Sequence, residues 1–241
     1  MNEYKSTARL KSIAAERSLG RYGTLIGANI IIYAIQVIVS AITTVSTGGS
    51  LFFIITNNII TLIVNILLGL LVSGKAYLYM NLLYSQPVAA SDIFFGLKQQ
   101  PQKAVAIQAL FVIVDFLISI PGQLLMIQYQ KSPDANSVLA AVLALSVGLC
   151  INIIFSLVYS QSFFILHDFP DRTAVKILAS SRHLMKGTIF RLFYLHVSFI
   201  PLYILGCLTL FVPILWINVY HYAATCAFYQ DLIESTVSTG K

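Results

Sequence analysis

Four polar side chains fall in the middle of long apolar segments. Asp115 is the only acidic residue well inside such a segment, and His221 lies at a comparable depth in another. A histidine can accept or hold a proton near neutral pH, so an Asp–His pair could relay a proton or a cation. Asn65 and Asn152 lie at a similar depth. We therefore predict a midplane polar cluster of Asp115, His221, Asn65 and Asn152, in which His221 is the best partner for Asp115.

The same cluster has a purely structural interpretation. A lone carboxylate inside a membrane costs at least about 2.5–3.5 kcal/mol on insertion scales, so Asp115 should face the helical bundle and find a partner, or be protonated. Asparagine side chains also hydrogen-bond between membrane helices, with an average contribution of about 0.6 kcal/mol. The sequence leaves open whether the cluster relays ions or only holds helices together.

The composition defines the elements that must position these residues. Apolar residues make up 58% of the chain and charged residues 10%, whereas a soluble domain has roughly 25% charged residues. A spanning helix needs about 20 mostly apolar residues, and several segments meet that length. We predict an all-α polytopic membrane protein, a single domain over 1–241 with a bundle of about six transmembrane helices. The predicted spans are 24–46, 51–74, 104–127, 138–166, 188–208 and 212–231, with the break between the last two near Pro213, which cannot donate a backbone hydrogen bond.

The distribution of Lys and Arg sets the orientation, because cytoplasmic segments carry the excess of these residues. Of the 15 Lys and Arg residues, only Lys131 falls on the opposite side of the predicted spans; Lys75 and Lys241 are counted with the majority. Both termini should therefore be cytoplasmic. The formal charge of +6 indicates attraction to anionic lipid, and no nucleic-acid partner is expected because the basic residues are spread over three segments.

Short amphipathic segments precede each outward span. The basic segment 1–23 contains the first, "SDIFFGLKQQPQKA" the second and "AVKILASSRHLMKG" the third. These helices should lie in the interface with the basic side toward headgroups, and the chain could be three copies of one unit: interfacial helix, outward span, inward span. The third has the clearest split between an apolar and a basic face. Its apolar face comprises Ala174, Ile177, Leu178, Leu184 and Met185. Candidate contacts to anionic lipid are Arg9, Lys11, Arg17, Arg21, Lys98, Lys103, Lys176, Arg182 and Lys186.

Other motifs give little sign of catalysis. The segment "HDFPDR" at 167–172 places a histidine and two aspartates together, but its spacing matches no zinc motif and Pro170 favours a turn with helix capping. His183 and His196 are read as interface or packing residues. The cysteines Cys150, Cys207 and Cys226 fall within spans without a metal spacing. We predict no metal and no cofactor.

The C-terminal part carries a family resemblance. The matching residues are "LMKG" at 184–187, "LFYLHVSFI" at 192–200, "LTL" at 208–210, "LW" at 215–216, Tyr220 and "AFYQDL" at 227–232. They resemble a family of bacterial integral membrane proteins catalogued as domain of unknown function 975, and "LKSIAAERSLGRYG" resembles its opening basic helix. Where that family tends to have glycines after "LTL", this chain has Phe211 and Val212. The resemblance implies six spans and a bacterial cytoplasmic membrane, and it implies no biochemical activity.

Three functions fit these expectations. The first is a non-enzymatic accessory or scaffold protein whose basic interfacial helices contact anionic lipid or a membrane-protein partner. The second is a small transporter or export factor that uses the midplane polar cluster. The third is an intramembrane enzyme acting on lipid, although no nucleophile or second carboxylate accompanies the candidate histidine.

Overall fold

The computed structural model describes residues 4–43, 51–131 and 135–238. Within these ranges the chain forms helices joined by turns, without strands, in an all-α polytopic membrane fold. The end of the first predicted span at 44–46 and Lys241 lie outside the described residues. The helices are α1 (Thr7–Ser18), α2 (Tyr22–Thr43), α3 (Leu51–Leu83), a 3-10 helix (Ala90–Phe94), α4 (Phe95–Lys98), α5 (Pro101–Lys131), α6 (Ala135–Tyr159), α7 (Ser162–Asp168), α8 (Ala174–Met185), α9 (Ile189–Val197), α10 (Ile200–Leu208) and α11 (Ile214–Ser238).

Five segments of the described residues are long and apolar enough to cross a membrane. They are Tyr22–Ile42, Ile55–Leu83, Pro101–Met126, Val138–Asp168 and Ile189–Leu208. Each overlaps one of the first five predicted spans. The helices α3 and α5 are longer than the predicted spans, because α3 continues past Lys75 to Leu83 and α5 runs from Pro101 to Lys131.

The sixth predicted span, 212–231, corresponds to α11. This helix has the length of a span, but its polar residues keep it below the hydropathy of the other five. Its residues from Ala223 to Tyr229 are almost entirely buried against α1, α2 and α3. A helix at the centre of a bundle does not need an apolar surface, which is why α11 tolerates polar side chains. Its crossing of the membrane stays a prediction.

The predicted fifth span, 188–208, is interrupted. Helix α9 ends at Val197 and α10 begins at Ile200, with Pro201 in its first turn, where a missing backbone N–H is tolerated. The break expected near Pro213 is present as the turn 209–213 between α10 and α11. In this turn Leu210 and Phe211 have φ angles of 58° and 63°, in the left-handed region that favours glycine. Leu210 and Phe211 therefore adopt a backbone conformation that glycine would adopt without strain.

The amphipathic helices pack differently from the expectation. In α8, Ile177 and Met185 are fully buried and Leu178 and Leu184 pack partly against the core, while the basic residues face outward. In α1, Leu10 and Ala14 are buried in the same core. The predicted division into two faces is therefore confirmed. The expectation that the apolar faces lie open to lipid is wrong, because these faces complete the core of the bundle.

Candidate functional site

The predicted cluster forms in part. Asn152 Nδ2 donates a hydrogen bond to Asp115 Oδ1 at 2.5 Å, and the hydroxyl of Ser156 donates to Asn152 Oδ1 at 3.2 Å. Asn65 and Gln108 line the same cavity of about 320 Å³ between α3, α5 and α6. Asp115 has found a partner, as expected for a carboxylate at mid-span. It is nevertheless exposed on the surface of the bundle, where it faces this groove.

The expected pair of Asp115 and His221 does not form among the described residues. His221 instead meets His196, with 2.5 Å between His221 Nε2 and His196 Nδ1, and Tyr203, with 3.0 Å between His221 Nδ1 and the hydroxyl oxygen. The reason is the position of α11 at the centre of the bundle, where His221 faces α9 and α10. His196, expected to be a packing residue, is therefore part of a polar network.

The hydrogen bonds of this network fix one set of protonation states. Tyr203 donates its hydroxyl proton to Asn218 Oδ1 at 2.8 Å, so the hydroxyl oxygen accepts from His221 Nδ1–H. His221 Nε2 is then an acceptor, and His196 Nδ1–H donates to it. Asn218 continues the chain by donating to the hydroxyl of Tyr33 at 3.3 Å. In this arrangement His221 is neutral, with Nδ1 protonated and Nε2 accepting.

The histidine network lines a larger cavity of about 610 Å³. Its walls come from α3, α6, α9, α10 and α11. On α11 the lining residues Asn218, His221, Tyr222 and Thr225 recur at the spacing that places side chains on one face of a helix. The polar groups of the other walls are Lys75, Asn152, Ser156, Ser160, His196 and Tyr203. A cavity of this size is comparable to sites for small organic ligands.

Lys75 is the one charged residue of this lining. Its Nζ lies 4.4 Å from the centre of the Tyr222 ring, and no described residue forms a salt bridge or hydrogen bond with it. The sequence prediction counted Lys75 as a loop residue, which is wrong because α3 continues for eight residues beyond it. The preceding residue, Gly74, fixes this position. A Cβ atom there would lie 1.7 Å from the carbonyl oxygen of Ile93, so the 3-10 helix packs directly on the α3 backbone.

The two cavities adjoin. Asn152 and Ser156 line both, and a third cavity of about 350 Å³ shares Asp115 and Asn152 and reaches Leu145 and Gly148. The residues of α6 and of the turn directly after it that line these cavities run from Leu145 to Ser160. With a rise of about 1.5 Å per residue, this stretch covers about 22 Å of a hydrocarbon core that is about 30 Å thick.

A separate group of contacts closes the end of the bundle that carries α1, α8 and the last turns of α11. Arg191 Nη2 donates to Asp231 Oδ2 at 2.7 Å and to the carbonyl oxygen of Lys5 at 2.9 Å, and its guanidinium stacks on Tyr4 and Phe228. Asp231 is only 4% exposed. We call this the basic end of the bundle, because most lysines and arginines of the described residues lie there.

The candidate lipid contacts divide into two groups at the basic end. Four are tied to the protein. Arg17 donates to Ser85, Arg21 to the carbonyl of Gln86, Lys103 to the carbonyl of Pro170, and Lys11 to the carbonyl of Ser198. Partial burial also lowers the pKa of Lys11 below its ordinary value. The second group has exposed side chains without a salt bridge or side-chain hydrogen bond to any described residue: Arg9, Lys98, Lys176, Arg182 and Lys186.

The motif at 167–172 forms a turn, as predicted. His167 Nε2 donates to the carbonyl oxygen of Ser73 at 2.8 Å, and Asp168 accepts from the hydroxyl of Tyr229 at 2.6 Å. Capping of α8 comes from Thr173, whose hydroxyl oxygen accepts from the backbone N–H of Lys176. The described residues contain no group of three side chains arranged to hold a metal ion.

Sequence reasoning missed Lys75, His196, Tyr203 and Ser156. One signal for Lys75 was present, since the apolar segment "AYLYMNLL" directly follows it and extends the helix. The pairing of His196 with His221 depends on the break between α9 and α10, which hydropathy does not reveal.

The fold and the cavities define a class: an all-α polytopic membrane protein with polar cavities at the depth of its spanning helices. The chain belongs to the family described as protein of unknown function (DUF975), whose model matches residues 1–236. The match extends the resemblance seen at the two ends over the middle of the chain. No curated protein and no solved structure matches the chain.

Proposed function

We propose that this protein is a small membrane transporter whose solute moves along the adjoining cavities beside α6. The observation that supports the proposal is the sharing of Asn152 by three cavities that follow α6 for about 22 Å. Among the functions suggested by the sequence, transport makes the most direct use of such an arrangement.

The cavities beside α6 form a polar groove, and its polarity supports the same function. Asp115 and Ser156 are exposed on the bundle surface near the middle of the apolar segments Pro101–Met126 and Val138–Asp168. Acyl chains supply no hydrogen bonds, so an exposed carboxylate at this depth, which has only Asn152 as a partner, is better stabilised where water or a polar solute also reaches it. A hydrated groove at mid-span is what a solute path requires.

Cysteine labelling tests whether the groove is hydrated. In a background with Cys150, Cys207 and Cys226 replaced by Ala, Ser156→Cys should react with a charged thiol reagent, because only a hydrated thiol ionises to the reactive thiolate. The matched control is Ile154→Cys on the same helix, where the native side chain is 59% exposed on the bundle surface but lines none of the three cavities. We expect a rate at least about tenfold higher for Ser156→Cys in proteoliposomes. Equal and slow labelling at both positions contradicts the proposal.

A second candidate function rests on the exposed cations. The side chains of Lys176, Arg182 and Lys186 project from α8, and Arg182 and Lys186 border a groove of about 740 Å³ with Leu110, Val158 and Ile189 on its apolar side. A basic rim over an apolar floor suits an anionic phospholipid, so the protein could act as an accessory protein held to anionic lipid. Replacing Arg182 and Lys186 together with Gln should weaken binding of an anionic phospholipid in neutral detergent, measured by native mass spectrometry, and leave Ser156→Cys labelling unchanged. Unchanged binding of the anionic phospholipid contradicts this second function.

We further propose a bacterial cytoplasmic membrane location with both termini in the cytoplasm. The basic end supports this orientation, because cytoplasmic segments carry the excess of Lys and Arg. Leu210, which is 85% exposed in the turn 209–213, then faces outward, and Gln102 at the basic end faces inward. In intact cells an impermeant reagent should label Leu210→Cys and spare Gln102→Cys. The reverse pattern contradicts the orientation.

A further inference from the structure

The charge of Lys75 is not balanced within its cavity. The lining contains no Asp or Glu, and both ion pairs found among the described residues are at the basic end. Asp115 lines the adjoining cavity and is bonded to Asn152. The Tyr222 ring offers a cation–π contact, which is attractive but carries no net charge. An ammonium group in this setting attracts an anion.

The lining of this cavity offers donors to the oxygen atoms of an anion. The ammonium group of Lys75 has three N–H donors, and Asn152 keeps a second amide N–H besides the one bonded to Asp115. The hydroxyls of Ser156 on α6, Ser160 directly after α6 and Thr225 on α11 also line the cavity, where they donate to Asn152 Oδ1 and to the carbonyl oxygens of Leu157 and His221. A hydroxyl can rotate toward a charged acceptor, with which it forms a stronger hydrogen bond than with a neutral one. Together with the ammonium group, these donors suit the oxygens of a carboxylate or a phosphate group.

The cavity also opens sideways. Four of its apolar lining residues, Ile153 on α6, Phe193 and Val197 on α9, and Ile200 on α10, are exposed on the outer surface of the bundle. Since these helices belong to segments that can span a membrane, the opening between α6 and α9–α10 lies at the depth of the acyl chains. A ligand with an apolar tail can therefore reach Lys75 from the lipid.

We infer that Lys75 is the anion-binding residue of this cavity and that the ligand is an amphipathic anion with a carboxylate or phosphate headgroup and an apolar tail. The headgroup lies against Lys75 and the hydroxyls of α6, and the tail leaves through the opening between α6 and α9–α10. This inference rests on the proposed transport function and specifies its substrate class.

Native mass spectrometry of the full chain in neutral detergent tests the inference with three probes: dioleoylphosphatidylglycerol, dioleoylphosphatidylcholine and inorganic phosphate. Wild-type protein should bind one phosphatidylglycerol molecule more tightly than the others. Lys75→Gln should weaken that site about tenfold, as expected for loss of one charge-assisted contact, and Lys75→Arg should recover most of it. The control Lys98→Gln removes an exposed positive charge at the basic end and should leave the site unchanged.

A second variant, Ile200→Trp, narrows the lateral opening and keeps Lys75. It replaces a side chain that is 50% exposed, and it should weaken phosphatidylglycerol binding while the charge remains. Equal binding by wild type, Lys75→Gln and Ile200→Trp overturns the inference. Displacement of the lipid by inorganic phosphate at a similar concentration overturns the requirement for an apolar tail. Either of these two results, together with rapid labelling of Ser156→Cys, would show that the substrate class is wrong while the hydrated path is retained. Slow labelling of Ser156→Cys would reject the path itself.

Discussion

Arg191 and Lys75 are two cations withdrawn from the surface of the same bundle, and their surroundings differ completely. Arg191 is paired with Asp231 at 2.7 Å, donates to a backbone carbonyl and stacks on two aromatic rings. Lys75 contacts the Tyr222 ring and faces a cavity of about 610 Å³.

The different surroundings of Arg191 and Lys75 distinguish a charge that stabilises the fold from a charge that we propose binds a ligand. Placing a charge in a low-dielectric interior is unfavourable, and a fold offsets that cost when it supplies an opposite charge and hydrogen bonds. The basic end supplies them for Arg191, whose charge joins α9 to α11 and to the segment before α1. Among the described residues Lys75 has only the Tyr222 ring, and the stabilising partner that we propose for it is a ligand from outside the chain.

The largest expected effect is the loss of stability when Arg191 loses its counter-charge. Asp231→Asn leaves Arg191 without its counter-charge and should lower the free energy of unfolding by about 3 kcal/mol, measured by denaturant titration in detergent. Glu234→Gln is the matched control, because its pair with Lys5 is exposed and its loss should cost less than about 1 kcal/mol. Equal losses in the two variants would show that burial of Asp231 does not matter.

The next effect compares two helix glycines with different surroundings, Gly74 on α3 and Gly27 on α2. Gly74→Ala places a Cβ against the carbonyl of Ile93, where no flexible side chain can move away, and should lower stability by about 1–3 kcal/mol. Gly27→Ala on α2 meets open space and should raise stability by about 0.5–1 kcal/mol through helix propensity. If Gly74→Ala leaves the free energy of unfolding unchanged, the 3-10 helix does not hold α3 in the position that directs Lys75 into the cavity.

A smaller effect is expected at Asp115. Asp115→Asn keeps the shape and one hydrogen-bond acceptor for Asn152, so the loss of stability should stay below about 1 kcal/mol, in the range measured for polar contacts between membrane helices. The transport rate in proteoliposomes should fall strongly although the free energy of unfolding changes little, because the carboxylate lies in the proposed path. Unchanged transport at Asp115→Asn removes this residue from the path.

Much of the fold could be predicted from the sequence. Hydropathy located the first five spanning segments, and the 3.6-residue period located the buried and basic faces of α8, since both signals are local. The prediction that Pro213 marks a break is confirmed for the same reason. Helix ends were less accurate, because a single charge such as Lys75 ends an apolar window without ending the helix.

The site was less predictable because it depends on which helices are neighbours. Residue depth placed Asp115 and Asn152 together, and the structure joins them. Depth alone also suggested His221 as their partner, but α11 lies at the centre of the bundle and turns that histidine toward α9 and α10. The break at residues 198 and 199, which presents His196 and Tyr203 to α11, has no clear signal in hydropathy.

The most direct test removes the two cations in turn. The free energies of unfolding of Arg191→Met and Lys75→Met should be measured side by side in neutral detergent. Arg191→Met leaves Asp231 buried without its counter-charge and should lose about 3 kcal/mol, whereas Lys75→Met removes an unbalanced charge and should lose less than about 1 kcal/mol or gain stability. A loss at Lys75→Met as large as that at Arg191→Met would contradict the account, because Lys75 would then be a structural residue like Arg191.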